Sequence, residues 1–360
     1  MSRHSRRAST SLHSGAPLRG TGGGRGIPAP PTARASAGGR GPAAGLTGSG
    51  LVLATVTIWS VNVIVVKLAL RDSGPLTYTA TRFLIGGALL LVVARAMAGG
   101  LPRLRRADIR ELLITGLIGI AANQTSFTVA LRFTTAVDVS LIMGSIPLAV
   151  AAHRAVFLHE RIGRRGWAGL AVGAAGLAIV VEAGGGGHGA LGGDLLALGA
   201  PVTWALYLAR LDRLLSRYDT LTAGALVTAA GALTLLPLGA AEALADHPSP
   251  TPSWLGLLAF SALLSSAFGN VAYYRGLQLI GATRAAAFTY LQPFLGAIAA
   301  RLLLGEELRP TQLLGGGVVV AGILLGGRAS ASSAVEPEVA VSCVAGEREE
   351  VERRPVGAPP

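Results

Sequence analysis

Two stretches of the chain share one pattern: residues 131–160 read LRFTTAVDVSLIMGSIPLAVAAHRAVFLHE, and residues 277–306 read LQLIGATRAAAFTYLQPFLGAIAARLLLGE. Identities within these stretches and just beyond them recur at a constant offset of 146 positions. Seven of the matching pairs are Leu131/Leu277, Ala136/Ala282, Pro147/Pro293, Leu158/Leu304, Glu160/Glu306, Gly169/Gly315 and Gly176/Gly322. Several identities at one offset indicate an internal duplication, which has to be recognised before a fold is assigned.

The composition is that of a membrane protein. Hydrophobic residues make up 51% of the chain, charged residues 14%, and the mean hydropathy is +0.54, whereas charged residues make up about 25% of a typical soluble domain. A helix needs about 20 apolar residues to cross a bilayer. The predicted fold class is therefore an all-α integral membrane protein with ten transmembrane helices. The predicted spans are 49–70, 75–97, 109–130, 135–158, 163–182, 194–211, 220–240, 253–274, 284–304 and 309–327.

The net charge of +12 does not indicate a nucleic-acid partner, because the basic residues lie between the apolar spans. With the amino terminus placed in the cytoplasm, thirteen arginines fall in cytoplasmic loops and three in the opposite loops. The positive-inside rule thus predicts that both termini are cytoplasmic. The thirteen are Arg95, Arg103, Arg105, Arg106, Arg110, Arg161, Arg164, Arg165, Arg210, Arg213, Arg217, Arg275 and Arg284, and the three are Arg71, Arg132 and Arg309.

The chain divides into two copies flanked by polar tails. Residues 1–47, rich in Arg, Gly and Ser, are predicted to be a disordered cytoplasmic extension, and residues 328–360, which contain the single cysteine, Cys343, a disordered tail. Between them lie a first five-helix repeat (48–182), a Gly-rich linker (183–192) and a second five-helix repeat (193–327). An odd number of spans per copy predicts that the second copy is inverted in the membrane, as in many secondary transporters.

Polar and ionisable groups within apolar spans are costly, so each is a candidate for solute contact. Trp59 and Trp204 lie mid-span at nearly equivalent positions of the two copies, and Asn62 and Tyr207 lie one turn further along the same faces. For this set, cavity lining and plain core packing both stay open. The predicted substrate-binding set is Trp59, Asn62, Arg82, Asn123, Gln124, Trp204, Tyr207, Asn270, Tyr273, Tyr290 and Gln292.

Other residues of the spans have different predicted roles. Asp138, about one turn into the fourth span, is the candidate for proton coupling, and a simple helix-end position is the alternative. Glu160 and Glu306 close the fourth and ninth spans and are predicted to be structural. Pro147 and Pro293 are predicted to kink the same spans. The Cys and His residues form no cluster, and neither a nucleotide motif nor a catalytic constellation can be assembled, so neither a metal, a cofactor nor an enzymatic activity is expected.

The repeated segment resembles a known family. The residues that carry the resemblance are Ala130-Leu131-x4-Ala136, Pro147 and Leu158-His159-Glu160-Arg161, with the second copy Gly276-Leu277-x4-Ala282, Tyr290-Leu291-Gln292-Pro293 and Leu304-Gly305-Glu306. They resemble the EamA-type members of the drug/metabolite transporter superfamily. Trp59-x2-Asn62-x4-Lys67 is similar to the first-helix pattern of that family, with Ser60 where Gly is more usual, and Arg82 looks like a further family feature. Over residues 50–327, the resemblance implies a ten-helix exporter or exchanger with a central cavity.

The sequence thus predicts a secondary transporter that moves small metabolites by alternating access, with efflux of amino acids or related metabolites favoured and protons as the candidate coupling ion. The expected partners are the lipid bilayer and a small-molecule solute, and a homodimer is a candidate assembly. With Lys67 as the single lysine, the amino-acid composition is typical of a GC-rich genome. This favours a bacterial protein of the plasma (inner) membrane. Two alternatives stay open: a nucleotide-sugar or phosphate-ester antiporter on the same fold, and an intramembrane enzyme or scaffold.

Overall fold

The computed structural model describes residues 42–98, 100–184, 190–247 and 250–330. Within these ranges the regular structure is entirely helical. Most of the predicted amino-terminal extension, the centre of the Gly-rich linker, and the tail beyond residue 330 with Cys343 lie outside the described residues. The helices are α1 (Pro42–Ala69), α2 (Pro75–Ala98), α3 (Arg106–Phe133), α4 (Ala136–Met143), α5 (Ile146–Phe157), α6 (Arg164–Ala183), α7 (Ala190–Leu215), α8 (Thr220–Asp246), α9 (Pro252–Ile280), α10 (Ala282–Thr289), α11 (Gln292–Leu304) and α12 (Pro310–Ser330).

Among the described residues, eight helical segments are long and apolar enough to cross a membrane: α1, α2, α3, α6, α7, α8, α9 and Ala287–Leu304, which runs from the end of α10 through α11. A ninth span results if α4 and α5, which are bent by 44° at the break between them, count as one. The apolar part of α12, Pro310–Gly326, is shorter. Each predicted span coincides with one of these helices or helix pairs, but length and composition establish only eight or nine spans rather than the predicted ten.

Two local features of the helices involve prolines. Helix α1 begins at Pro42, within the segment predicted to be disordered up to residue 47. Proline suits the first turn of a helix, because its φ is already helical and its missing N–H has no partner there. Pro147 and Pro293, expected to kink their spans, lie in the first turns of α5 and α11, so the 44° bend of the span 135–158 falls just before Pro147. The chain breaks ahead of each proline, and a new helix starts there.

The helices pair in a symmetric pattern. Helix α2 packs on its counterpart α8, and α6 packs on its counterpart α12. Helix α1 packs on α9 of the second copy, and α7 packs on α3 of the first copy in the equivalent way. Two self-pairs and one exchanged pair are the contacts that a two-fold axis between related halves produces.

The contact between α6 and α12 gives the direction of that axis. A Cβ on Gly169 would lie 2.6 Å from the carbonyl oxygen of Gly322, and a Cβ on Gly176 would lie 2.7 Å from that of Gly315. Later residues of α6 therefore meet earlier residues of α12, so the two counterparts run antiparallel. An axis parallel to the helices would make them parallel, so it lies across them, as inverted repeats require. The two GxxxG segments, Gly169–Gly173 of α6 and Gly322–Gly326 of α12, thus pack on each other within one chain.

Candidate functional site

Buried polar side chains join the two halves. The Ser261 hydroxyl on α9 donates to Asn62 Oδ1 on α1, and it accepts from the Tyr78 hydroxyl on α2 at 2.8 Å. All three residues are less than a tenth exposed. Asn62 is one of the predicted site residues, whereas Tyr78 and Ser261 are not, because a hydroxyl in an apolar span carries no signal of its partner.

A second hydrogen-bond network starts at Arg82, one turn beyond Tyr78 on α2, and reaches α3 and α7. Its Nη2 donates to Gln124 Oε1 at 2.7 Å, and Gln124 Nε2 donates to Asn123 Oδ1 at 2.9 Å. Asn123 Nδ2 in turn donates to the Ala200 carbonyl on α7 at 2.7 Å. The structure therefore brings together three predicted site residues, Arg82, Asn123 and Gln124. The two amides tie helices together and orient a guanidinium at the same time.

Among the described residues, the Arg82 guanidinium is a buried charge without an acidic partner. The residue is 2% exposed, and its Nε has no hydrogen-bond partner among the described residues. None of the ion pairs within the described ranges includes Arg82. Its nearest aromatic face is the Phe83 ring, 4.5 Å from Cζ. Because an unpaired charge away from water is costly, this guanidinium is the group at the repeat interface best suited to an anionic ligand.

Two pairs of aromatic rings lie on α1, α9 and α7, helices that also take part in the hydrogen-bond networks. Trp59 lies 5.2 Å from Tyr273, ring centre to ring centre, and its Nε1 donates to the Ser265 carbonyl at 3.1 Å. On α7, Trp204 lies 4.9 Å from Tyr207. The predicted aromatic residues therefore form two Trp–Tyr pairs, one between α1 and α9 and one within α7.

Among the described residues, three further predicted residues, Asn270, Tyr290 and Gln292, belong to neither hydrogen-bond network and to neither Trp–Tyr pair. Asn270 Nδ2 donates to the Ser266 carbonyl, one turn back in its own helix. Tyr290 and Gln292 lie at the break between α10 and α11, where the Gln292 carbonyl accepts from the Ser60 hydroxyl at 3.1 Å. Their contact with a solute stays a prediction.

Asp138 is fully buried in the first turn of α4. Its carboxylate accepts from Gln312 Nε2 at 2.6 Å and from the Thr135 hydroxyl at 2.7 Å. Thr134 also bridges it towards Asp194, which is likewise fully buried. The sequence analysis missed Asp194, although it is the only acid of the predicted span 194–211 and stands at its very start.

The duplicated glutamates have unlike surroundings. Both carboxylate oxygens of Glu160 accept from Arg154 Nε, each at 2.9 Å. Glu306 pairs with Lys67 Nζ at 2.8 Å and accepts from the Val137 backbone N–H at 3.0 Å. Glu306 therefore holds α1, α4 and the end of α11 together, whereas Glu160 closes a local turn.

Glu306→Ala is expected to lower the free energy of unfolding by about 1–3 kcal/mol, because it leaves the Lys67 ammonium without its anionic partner and the Val137 N–H without its acceptor. The Glu306 side chain is only 13% exposed. Thermal unfolding of the purified protein in detergent measures the loss. The matched control is Glu307→Ala in the same loop, where the carboxylate is 75% exposed and its ion pair contributes about 0–1 kcal/mol. Equal losses in the two variants would contradict the anchoring role of Glu306.

Ion pairs join helices at the end of the bundle where α3 begins and α7 ends. Asp108, at the start of α3, accepts from Arg217 and, at 2.9 Å, from the Tyr218 hydroxyl. Burial, followed by the hydrogen bond to Asp108, raises the pKa of the Tyr218 phenol. Glu111 pairs with Arg210 at 3.3 Å. These contacts join α3 to the α7–α8 loop and lie apart from the Arg82 network.

The fold and the network together define a class: a multi-pass, all-helical membrane protein of two related halves with a polar interface between them. The sequence model of the EamA-like transporter family matches residues 46–182 and 191–327. The chain therefore belongs to the EamA-like transporter family, with one copy of the family domain in each half, as the resemblance of the repeated segments indicated.

Named relatives agree with this family. The chain is 31% identical to an uncharacterized transporter, YvbV, of Bacillus subtilis, over 78% of this chain and 91% of the relative. It is 28% identical to a probable amino-acid metabolite efflux pump of Salmonella typhimurium, over 76% of this chain and 93% of the relative. It is also 28% identical to a probable terminal-alkyne amino-acid exporter of Streptantibioticus cattleyicolor, over 76% and 91%. A solved crystal structure shares the fold, with a TM-score of 0.53 at 22% identity over 79% of this chain and 98% of that one.

Proposed function

We propose that this transporter exports amino acids or related small metabolites that carry a single carboxylate, and that it is not an enzyme. The observation that carries this proposal is the buried guanidinium of Arg82, which has no acidic partner among the described residues. A carboxylate is a planar anion that a guanidinium binds through two parallel hydrogen bonds. Two relatives named for amino acids or their metabolites support the same solute class.

The distribution of charge favours this reading over a nucleotide-sugar or phosphate-ester antiporter. A phosphate ester with two negative charges would require several unpaired cations. Lys67 is paired with Glu306, and Arg284 is exposed. Arg82 alone supplies one positive charge, which matches one carboxylate. The second alternative, an intramembrane enzyme or scaffold, would require titratable groups gathered in one half, whereas the network around Arg82 takes residues from both.

The proposed mechanism is alternating access between the two inverted halves, with ten spans and both termini in the cytoplasm of a bacterial cell. One hydrogen-bond network joins α1, α2 and α9, and the Arg82 network joins α2, α3 and α7, so a change in the angle between the halves has to rearrange both. A solute that pairs with Arg82 would stabilise one arrangement relative to the other, which is the condition for coupling binding to movement. In this proposal Trp59, Tyr273, Trp204 and Tyr207 flank the solute, and a homodimer stays a candidate assembly.

Transport by the full-length protein in proteoliposomes tests this proposal. Radiolabelled amino acids, with and without a pH gradient, would be compared with a nucleotide sugar, a phosphate ester and the carboxamide of each amino acid, in which an uncharged amide replaces the carboxylate. We expect saturable flux for at least one amino acid and none for its amide, because the amide has no negative charge to pair with Arg82. Flux of the phosphate ester alone would favour the antiporter alternative, and no flux of any solute by folded protein would contradict the proposal.

Trp59→Ala is expected to reduce amino-acid flux by about tenfold or more, because truncating an aromatic anchor costs about 2 kcal/mol or more of binding free energy. Its membrane insertion should remain normal. The same proteoliposome assay measures the flux, and surface-exposed Trp167→Ala, on α6, is the control with flux like that of the wild type. Unchanged flux in Trp59→Ala would remove this residue from the site.

A further inference from the structure

Two fully buried carboxylates, of Asp138 and Asp194, face one threonine hydroxyl. Thr134 Oγ1 lies 2.6 Å from Asp194 Oδ1 and 3.3 Å from Asp138 Oδ2. Both aspartates are 0% exposed, and Thr134 is 6% exposed. Asp138 belongs to α4 of the first copy, and Asp194 lies in the first turns of α7 of the second copy. The pair therefore spans the boundary between the two halves.

The two carboxylates have unequal sets of hydrogen-bond donors. Asp138 accepts from Gln312 Nε2 and from the Thr135 hydroxyl in addition to its contact with Thr134. Asp194 has Thr134 alone, and its Oδ2 has no partner among the described residues although it is buried. Hydrogen bonds to the charged form of a carboxylate favour that form. Asp138 is therefore well accommodated as an anion, whereas Asp194 is not.

The neighbouring charges do not compensate for a second anion. Lys67 Nζ donates to the Thr134 carbonyl at 2.8 Å, but its charge is shared with Glu306. Arg132 donates to the Ser73 carbonyl, and Arg309 donates to the Ala183 carbonyl. The carboxylate of Glu182 on α6 is exposed. In the described ranges no basic side chain lies within ion-pair distance of either aspartate. Two buried carboxylates that contact the same hydroxyl repel each other when both are ionised, so the second negative charge is unfavourable.

A single proton on Asp194 allows both carboxylates to hydrogen-bond to Thr134. If Asp194 is protonated at Oδ1, its O–H donates to Thr134 Oγ1, and the Thr134 hydroxyl then donates to Asp138 Oδ2. If Asp194 is ionised, both carboxylates need the single Thr134 proton, because a hydroxyl has only one to donate. The protonated form therefore makes a continuous chain from one half to the other, and loss of the proton leaves two anions at the boundary.

We propose that Asp194 binds the proton that is coupled to solute movement, with the carboxylate of Asp138 as its fixed anionic neighbour. This rests on the proposed transport function. The step is a reversible protonation in which the Asp194 O–H bond breaks and the proton passes to water on the side to which this end of the bundle opens. Movement of the halves that draws Asp194 away from Asp138 removes the repulsion and permits that release. Binding of the proton restores the chain through Thr134 and closes this end.

Infrared difference spectroscopy on the lipid-reconstituted, full-length protein tests the proton site without any solute. We expect a protonated buried carboxyl band at neutral pH that shifts on hydrogen–deuterium exchange. D194N should lose this band, and D138N should weaken it, because removal of the neighbouring charge lets Asp194 ionise. The matched control E182Q, at the same end of the bundle, should keep it. A wild type without the band, or a D194N variant that retains it, would overturn the proposal.

A flux measurement separates coupling from transport itself, with an amino acid that the wild type moves. In D194N, the flux driven by a pH gradient is expected to fall about tenfold or more relative to the wild type, while solute-for-solute exchange persists. A decrease of this size lies within the range of about 5- to 150-fold that a coupling free energy typically gives. Loss of exchange in folded D194N, or full retention of gradient-driven flux, would contradict the coupling role. If the wild type shows the infrared band but no flux, the transport proposal fails and the proton site stands.

A variant that keeps both aspartates distinguishes a change at the proton site from misfolding. Thr134→Val removes only the bridging hydroxyl and keeps the shape of the side chain. If Asp194 is the protonated group, its band should shift in frequency when this hydrogen bond is lost. An unshifted band in Thr134→Val would place the proton elsewhere.

Discussion

Arg82→Gln is expected to abolish most amino-acid flux and, at the same time, to leave the fold as stable as before or more stable. The loss of one partner from a buried, hydrogen-bonded charge pair costs about 2–5 kcal/mol of binding free energy. Since 1.4 kcal/mol is a factor of ten, flux at subsaturating solute should fall by about 30-fold or more. Glutamine keeps the hydrogen-bonding capacity towards Gln124 but removes an unpaired buried charge, which is itself destabilising.

The two readouts together make this prediction specific. Proteoliposome flux and thermal unfolding in detergent would be measured on the same preparations. Arg284→Gln is the matched control, because Arg284 is exposed on α10; its flux should stay near that of the wild type. If Arg82 were a structural group with an unrecognised anionic partner in the chain, Arg82→Gln would instead lower the unfolding temperature. That outcome, or retained flux, would exclude Arg82 as the solute anchor.

Gly176→Ala should lower the free energy of unfolding by about 1–3 kcal/mol, the usual cost of overpacking. A Cβ at this position would lie 2.6 Å from Val319 N and 2.7 Å from Gly315 O, which are backbone atoms of the antiparallel counterpart α12. Backbone cannot turn aside as a flexible side chain can, so α6 and α12 have to separate. Small residues allow such close helix contacts in membranes, and the midpoint of thermal unfolding in detergent measures the loss.

The control for this prediction lies on the partner helix. A Cβ on Gly317 of α12 would meet no atom within 4 Å. Gly317→Ala should therefore be neutral or stabilising by about 0.5–1 kcal/mol, because alanine loses less backbone freedom than glycine when a helix forms. The same chemical change thus has opposite expected signs on the two helices. A similar response of both variants would mean that the α6–α12 contact does not hold the halves together.

The predicted site was only partly recoverable from the sequence. Arg82, Asn123 and Gln124 stood out because polar groups in apolar spans are few, and the structure joins them in one network. Tyr78 and Ser261 look like ordinary span residues and acquire importance only through their contact. Solute contact by any of these residues stays a prediction.

The proposed proton site was also only partly predictable from the sequence. Asp138 was singled out as an isolated acid within a span. Its partner Gln312 is 174 positions away, and Asp194 stood at a predicted helix boundary. No local pattern links three residues on three helices. Their meeting depends on how α4, α7 and α12 pack together.

The sequence by itself determined that this chain is helical, crosses a membrane several times and contains one unit twice. The lengths of apolar runs and identities at a fixed offset are properties of the linear chain, and lipid leaves helices as the way to satisfy the backbone of such runs. Only the tertiary structure decided that counterpart helices cross antiparallel, that the breaks precede the prolines, and that Lys67 is paired while Arg82 is not. Those outcomes depend on which distant side chains packing brings within a few ångströms of each other.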